Sequence, residues 1–115
     1  MTKMAGTIMI AKNNMMGTST LEFDYLVERI RAAFPVEYKS IASAVYEPLD
    51  EGGMTFISAI DLDQESYCVF SDAVHRAYKD SMREASFPLH ESRWIDLLGI
   101  VENDPRSRES KAKGR

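Results

Sequence analysis

This sequence predicts a two-layer α+β domain in which a small antiparallel or mixed sheet carries its helices on one face. Three observations point there. One amphipathic helix near the N-terminus has a legible start and stop, a central run is strongly β in character, and a second amphipathic helix follows an acidic start signal. At 115 residues, with 44% hydrophobic and 28% charged side chains, the composition is globular and the length suits one core rather than two. The reading divides the chain into residues 1–17, an N-terminal segment that is a strand or partly disordered, a single α+β domain over 18–101, and a disordered basic tail over 102–115.

The elements follow in order. Gly6–Ala11 is short and partly β-branched and reads as a strand running into turn residues at Asn13, Asn14 and Gly17. Ser19-Thr20-Leu21-Glu22 is a capping box, so a helix begins at Thr20. Phe23, Leu26, Val27, Ile30, Ala33 and Phe34 then recur at helical spacing until Pro35 stops the helix at Phe34. Over residues 36–46 helix and strand compete, because Tyr38, Ile41, Ala42, Val45 and Leu49 also fit a helical template. The strand is preferred, since the β-rich run Met54–Leu62 would otherwise lack a neighbour. Glu47–Gly53 would then be the hairpin loop, its paired glycines supplying positive φ.

Asp63 or Ser66 caps the next helix, whose apolar face carries Tyr67, Phe70, Val74, Ala77 and Tyr78 to about Ala85, with Pro88 marking its end. Asp72, Arg76, Lys79, Asp80 and Arg83 occupy the rest of its surface. Over Ser92–Val101, Trp94, Leu97, Leu98 and Val101 share a helical face, which favours helix over strand. The order is therefore β-α-β-β-α followed by a helix or a strand. A final strand would give a split βαβ, ferredoxin-like sandwich.

Composition narrows the function classes. A single cysteine, Cys68, cannot form an internal disulfide, and no run of about 18 apolar residues exists to span a membrane. Thr7–Ala11 is also too short for the apolar part of a signal peptide. A cytoplasmic protein is expected. The formal charge of −4 conceals a partition, because Arg106, Arg108, Lys111, Lys113 and Arg115 all lie in the last eleven residues. The body is correspondingly acidic, which argues against phosphate-backbone binding through the folded surface.

Each chemically suggestive group has a simpler structural account. Asp61, Asp63 and Glu65 stand at alternate positions and could aim carboxylates at a divalent cation. Acids at a helix start also complement the helix dipole, and the spacing fails as a calcium loop because Ser66 stands where glycine is required. Cys68 and His75 lie two helical turns apart, about 10 Å, too far for a nucleophile and its base. His90 has no assigned partner, and Gly52-Gly53 lacks the context of a phosphate loop. Trp94 reads as a core anchor or as an interface anchor, tryptophan being enriched at binding hot spots. Arg106, Arg108, Lys111 and Lys113 could contact nucleic acid or an acidic partner, or simply be solvated.

No assembled catalytic set emerges and no cofactor is called for. The leading expectation is a small non-enzymatic accessory protein of bacterial or phage type that acts through protein contacts, as an inhibitor, immunity or regulatory protein. Open sheet edges suggest self-association as a homodimer, and the acidic body suits a basic target. The alternatives are a small metal-dependent enzyme using Asp61, Asp63 and Glu65, and a nucleic-acid binder using the tail.

Overall fold

Alternation of buried and half-buried side chains along Gly6–Ala11 (β1) gives the sheet one inner face, carrying Ile8 and Ile10, and one outer face, carrying Thr7 and Met9. The structure is a computed structural model and describes residues 6–107. A tight turn at Lys12 and Asn13 returns the chain as Asn14–Thr18 (β2), antiparallel to β1, with the register shifting between Met9 and Ala11. Asn14 and Gly17, read from the sequence as turn residues, are thus part of a second strand. Ser19 then caps Thr20–Ala33 (α1). Its Oγ accepts from the Glu22 amide at 3.2 Å, while Glu22 Oε1 accepts from the Ser19 amide at 3.0 Å. Both halves of the expected capping box are present, and α1 ends one residue before Phe34.

Residues 36–46 are not a strand. After Pro35, Val36–Tyr38 makes one 3-10 turn and Lys39–Asp50 (α2) continues as a helix through Pro48. The helical template noted for Tyr38, Ile41, Ala42, Val45 and Leu49 was the correct reading. The reason for preferring a strand also fails, because the β-rich segment finds its neighbour elsewhere. Only Phe56–Ser58 (β3) is strand, and it pairs parallel with β1 through Thr7, Ile8 and Met9. The Glu47–Gly53 hairpin loop is replaced by the last turn of α2 and a short link. In that link Gly53 adopts φ +65° and the Met54 amide donates to Pro48 O at 2.9 Å.

The sheet order is β2-β1-β3, a mixed three-stranded sheet as expected of the fold class. Asp63 caps Gln64–Ser81 (α3), which ends before Ala85. Pro88 does not terminate it. Pro88 lies in the first turn of Phe87–Asn103 (α4), where proline costs no helical hydrogen bond. The final element is therefore helix, which removes the ferredoxin-like alternative. The observed order is β-β-α-α-β-α-α.

One core unites the layers. Ile8, Ile10, Met16 and Ile57 from the sheet pack with Phe23, Leu26 and Ile30 of α1, Val45 and Tyr46 of α2, Tyr67, Phe70 and Val74 of α3, and Trp94 and Leu97 of α4. Close approach of α1 to the sheet requires Gly6, because a Cβ there would lie 2.1 Å from Phe23 Cγ. Among the described residues no helix is long and apolar enough to cross a membrane.

Asp104–Ser107 belongs to this body, so the boundary expected at residue 102 does not separate order from a tail. Asp104 is buried, and every guanidinium N–H of Arg106 is engaged. Nε and Nη2 donate to Asp104, Nη1 to Ala59 O and Leu62 O, and Nη2 also to Ile10 O, at 2.7–3.0 Å. The guanidinium lies 4.0 Å from the centroid of the Tyr67 ring. Asp104 holds the Arg106 pKa above its ordinary value, while burial pushes the Tyr67 hydroxyl up.

Candidate protein-docking face

Three clefts adjoin one another through shared lining residues. The first, about 250 Å³, lies between the C-terminal end of α1 and α2, with Phe34, Val36, Ala42 and Tyr46 as apolar lining and Arg31, Lys39 and Asp50 as charged lining. Pro35 is shared with the second, about 260 Å³, which Tyr38 and Glu37 line on one side and Val69, Asp72 and Arg76 of α3 on the other. Asp72 and Arg76 continue into the third, about 390 Å³, which His75, Lys79 and Asp80 of α3 and Arg83 just past its end complete.

Local structure explains why apolar groups stand out here. Pro35 ends α1, and the 3-10 turn lifts Val36 and Tyr38 away from the core, leaving them 84% and 38% exposed. Val36 is thus an exposed knob at the first cleft, next to Pro35, which the first and second clefts share. An exposed apolar centre with a charged rim is the anatomy of a protein interface rather than of a small-molecule site.

The knob stands on a fixed base. Arg31 donates to both carboxylate oxygens of Asp50, at 2.8 and 3.1 Å, and lies 4.3 Å from the Tyr46 ring centroid. Beneath it the Tyr46 hydroxyl donates to Val27 O at 2.5 Å. The hydrogen bonds between Arg31 and Asp50 raise the arginine pKa and lower that of the carboxyl, and burial pushes the Tyr46 hydroxyl well above its usual range.

The residues singled out from the sequence fall elsewhere or have other duties. Asp63 is the N-cap of α3, accepting from the Ser66 amide at 2.8 Å, and that hydrogen bond lowers its pKa. Asp61 and Glu65 do not join it, and among the described residues no three His, Cys, Asp or Glu side chains are grouped as metal ligands would be. His75 Nδ1 lies 2.8 Å from Ser71 O and its Nε2 2.6 Å from Glu102, while His90 stacks on Tyr25 at 3.9 Å, so neither ring is committed to Cys68.

Trp94 is 0% exposed and donates its indole N–H to the Tyr25 hydroxyl. It is a core residue and offers a partner no surface, contrary to its reading as an interface anchor. Arg106 spends its donors inside the chain, as described above, which leaves none for phosphate. Arg108, Lys111 and Lys113 lie outside the described residues. The clefts themselves escaped the sequence reading. The spacing of Arg76, Lys79 and Arg83, three, four and seven residues apart at the C-terminal end of α3 and just beyond it, was the available signal.

No family model matches the chain. A relative, the immunity protein CdiI of Burkholderia pseudomallei, is 42% identical over 103 residues, which cover 90% of this chain and 94% of the relative. The solved structure titled CdiA-CT toxin from Burkholderia pseudomallei E479 in complex with cognate CdiI immunity protein contains a similar chain. The match has a TM-score of 0.87 at 41% identity and covers 90% of this chain and 99% of that one.

Proposed function

Because the chain belongs to the CdiI immunity protein family, whose members inhibit by protein contact, we propose that it binds and neutralises a CdiA-CT toxin of the type bound by its E479 relative. The similarity covers 90% of this chain and 99% of that one at 41% identity, and this observation carries the reading. An inhibitor needs a rigid, complementary surface and no chemistry of its own. That requirement suits a domain whose exposed Val36 lines a cleft that the Arg31–Asp50 pair also walls. A cytoplasmic location is part of this proposal, since an inhibitor acting on a toxin inside the cell would be needed there.

The test is co-expression with the E479 CdiA-CT toxin in a bacterial host, with purification of any complex. Restored growth and co-elution at equal stoichiometry are expected. Growth arrest undiminished by this chain, with no complex formed, would overturn the reading.

Self-association is a second reading. The outer face of the sheet presents Met9 between Met15 and Ser58, and Thr7 between Gly17 and Phe56, without a charged residue among them. That face suits a homodimer, for which light scattering on the eluted protein should give twice the chain mass.

A further inference from the structure

We infer that the toxin is received on the three-cleft face, and that the toxin surface seated there is acidic. This rests on the immunity reading above. It departs from the expectation that an acidic inhibitor meets a basic target.

Charge distribution carries the argument. Between residues 6 and 107 nine Lys and Arg stand against seventeen Asp and Glu, a formal charge of −8. Four of those cations, Arg29, Arg31, Arg93 and Arg106, are held by carboxylates of the chain itself. Of the remaining five, four line the clefts: Lys39, Arg76, Lys79 and Arg83. The clefts together hold five Lys or Arg against four Asp or Glu, whereas the rest of the described chain holds four against thirteen.

An acidic partner is therefore repelled by most of the molecule and accepted along the adjoining clefts. Long-range charge orients the encounter, and the unpaired cations then find carboxylates at contact. Val36 and the apolar lining of the first cleft supply the water-excluding centre that exposed charge pairs alone do not provide. Nucleic acid is the less suited occupant of the same stripe. Asp72 and Asp80 interleave with Arg76, Lys79 and Arg83, so a continuous phosphate backbone would meet two anions among three cations, inside an acidic body.

The experiment compares the full chain, the exposed-face variant Arg76→Glu/Lys79→Glu/Arg83→Glu and a control, Asp24→Lys/Glu91→Lys, on exposed positions of α1 and α4 away from the clefts. Calorimetric titration with the E479 CdiA-CT toxin is run at low and at physiological salt, after thermal melts show all three folded. The face variant should bind about 100-fold more weakly at low salt, with a reduced salt dependence, while the control stays within about threefold of the wild type. A second variant, Val36→Asp, should lose about tenfold or more.

Wild-type binding with both face variants unimpaired would overturn the docking face and leave the immunity reading standing. Absence of wild-type binding would fell the toxin reading and this proposal with it. A labelled single-stranded DNA 20-mer is titrated in parallel. Saturable binding to wild type that the triple variant loses, with toxin binding intact, would assign the stripe to nucleic acid and overturn the proposal.

Discussion

Arg106 illustrates how a residue type can be visible in a sequence while its role is not. In the sequence it stands among tail cations, and in the structure its donors join the end of β1 at Ile10, the β3–α3 link at Ala59 and Leu62, and buried Asp104. Removing it leaves three carbonyls and a carboxylate short of a donor in a poorly hydrated place. Arg106→Ala is expected to lose about 3 kcal/mol or more. Lysine would rescue little, because a single ammonium cannot reach four acceptors arranged for a planar fork. Urea unfolding checks this, and a midpoint unchanged in the alanine variant would contradict it. Trp94 makes the same point in reverse, since composition marks it as important but only packing shows that its whole surface is internal.

Among the elements, those with local signals were legible. The capping box at Ser19 and Glu22, the stop at Pro35 and the cap at Asp63 act over three or four residues, so sequence alone placed α1 and the start of α3. Residues 36–46 lacked such a signal, and there a helical template was set aside for a pairing argument whose premise was wrong. A strand can pair with any other strand in the chain, and β3 takes β1, far from it in sequence.

The Arg31–Asp50 pair joins α1 to α2 and predicts a pH effect. The Asp50 pKa is depressed below its ordinary 3.8 in the folded state. The pair's contribution is therefore present above the unfolded value and lost as pH falls through the folded one. Both groups are substantially exposed, so the contribution is at most about 1 kcal/mol. The gap in melting temperature between wild type and Asp50→Asn should hold steady at about pH 5 to 7 and close below about pH 4. A gap that persists at low pH would mean that the asparagine acts by other means.

For the molecule as a whole, the last described turn closes the fold, because Asp104 and Arg106 bridge β1, the β3–α3 link and the end of α4. Ending the chain at Asn103 should lower the melting temperature by on the order of 10 °C relative to ending it at Ser107. Equal melting of the two truncated chains would show the bridge to be dispensable. The docking face is likewise a property of the whole, since its three clefts draw on α1, the 3-10 turn, α2 and α3.

Unaided, the sequence settled the α+β class and two of the helices, and it ranked a non-enzymatic inhibitor, immunity or regulatory protein working by protein contact ahead of a metal-dependent enzyme and a nucleic-acid binder. Those rest on local spacing, composition and the absence of an assembled catalytic set. Only the tertiary structure decided that residues 39–50 are helix, that the sheet runs β2-β1-β3, that Trp94 is internal, and that Val36, Arg76, Lys79 and Arg83 line adjoining clefts. Strand pairing and surface grouping depend on which distant segments meet, and the energy that selects among those meetings is burial of the shared core, which no local pattern encodes.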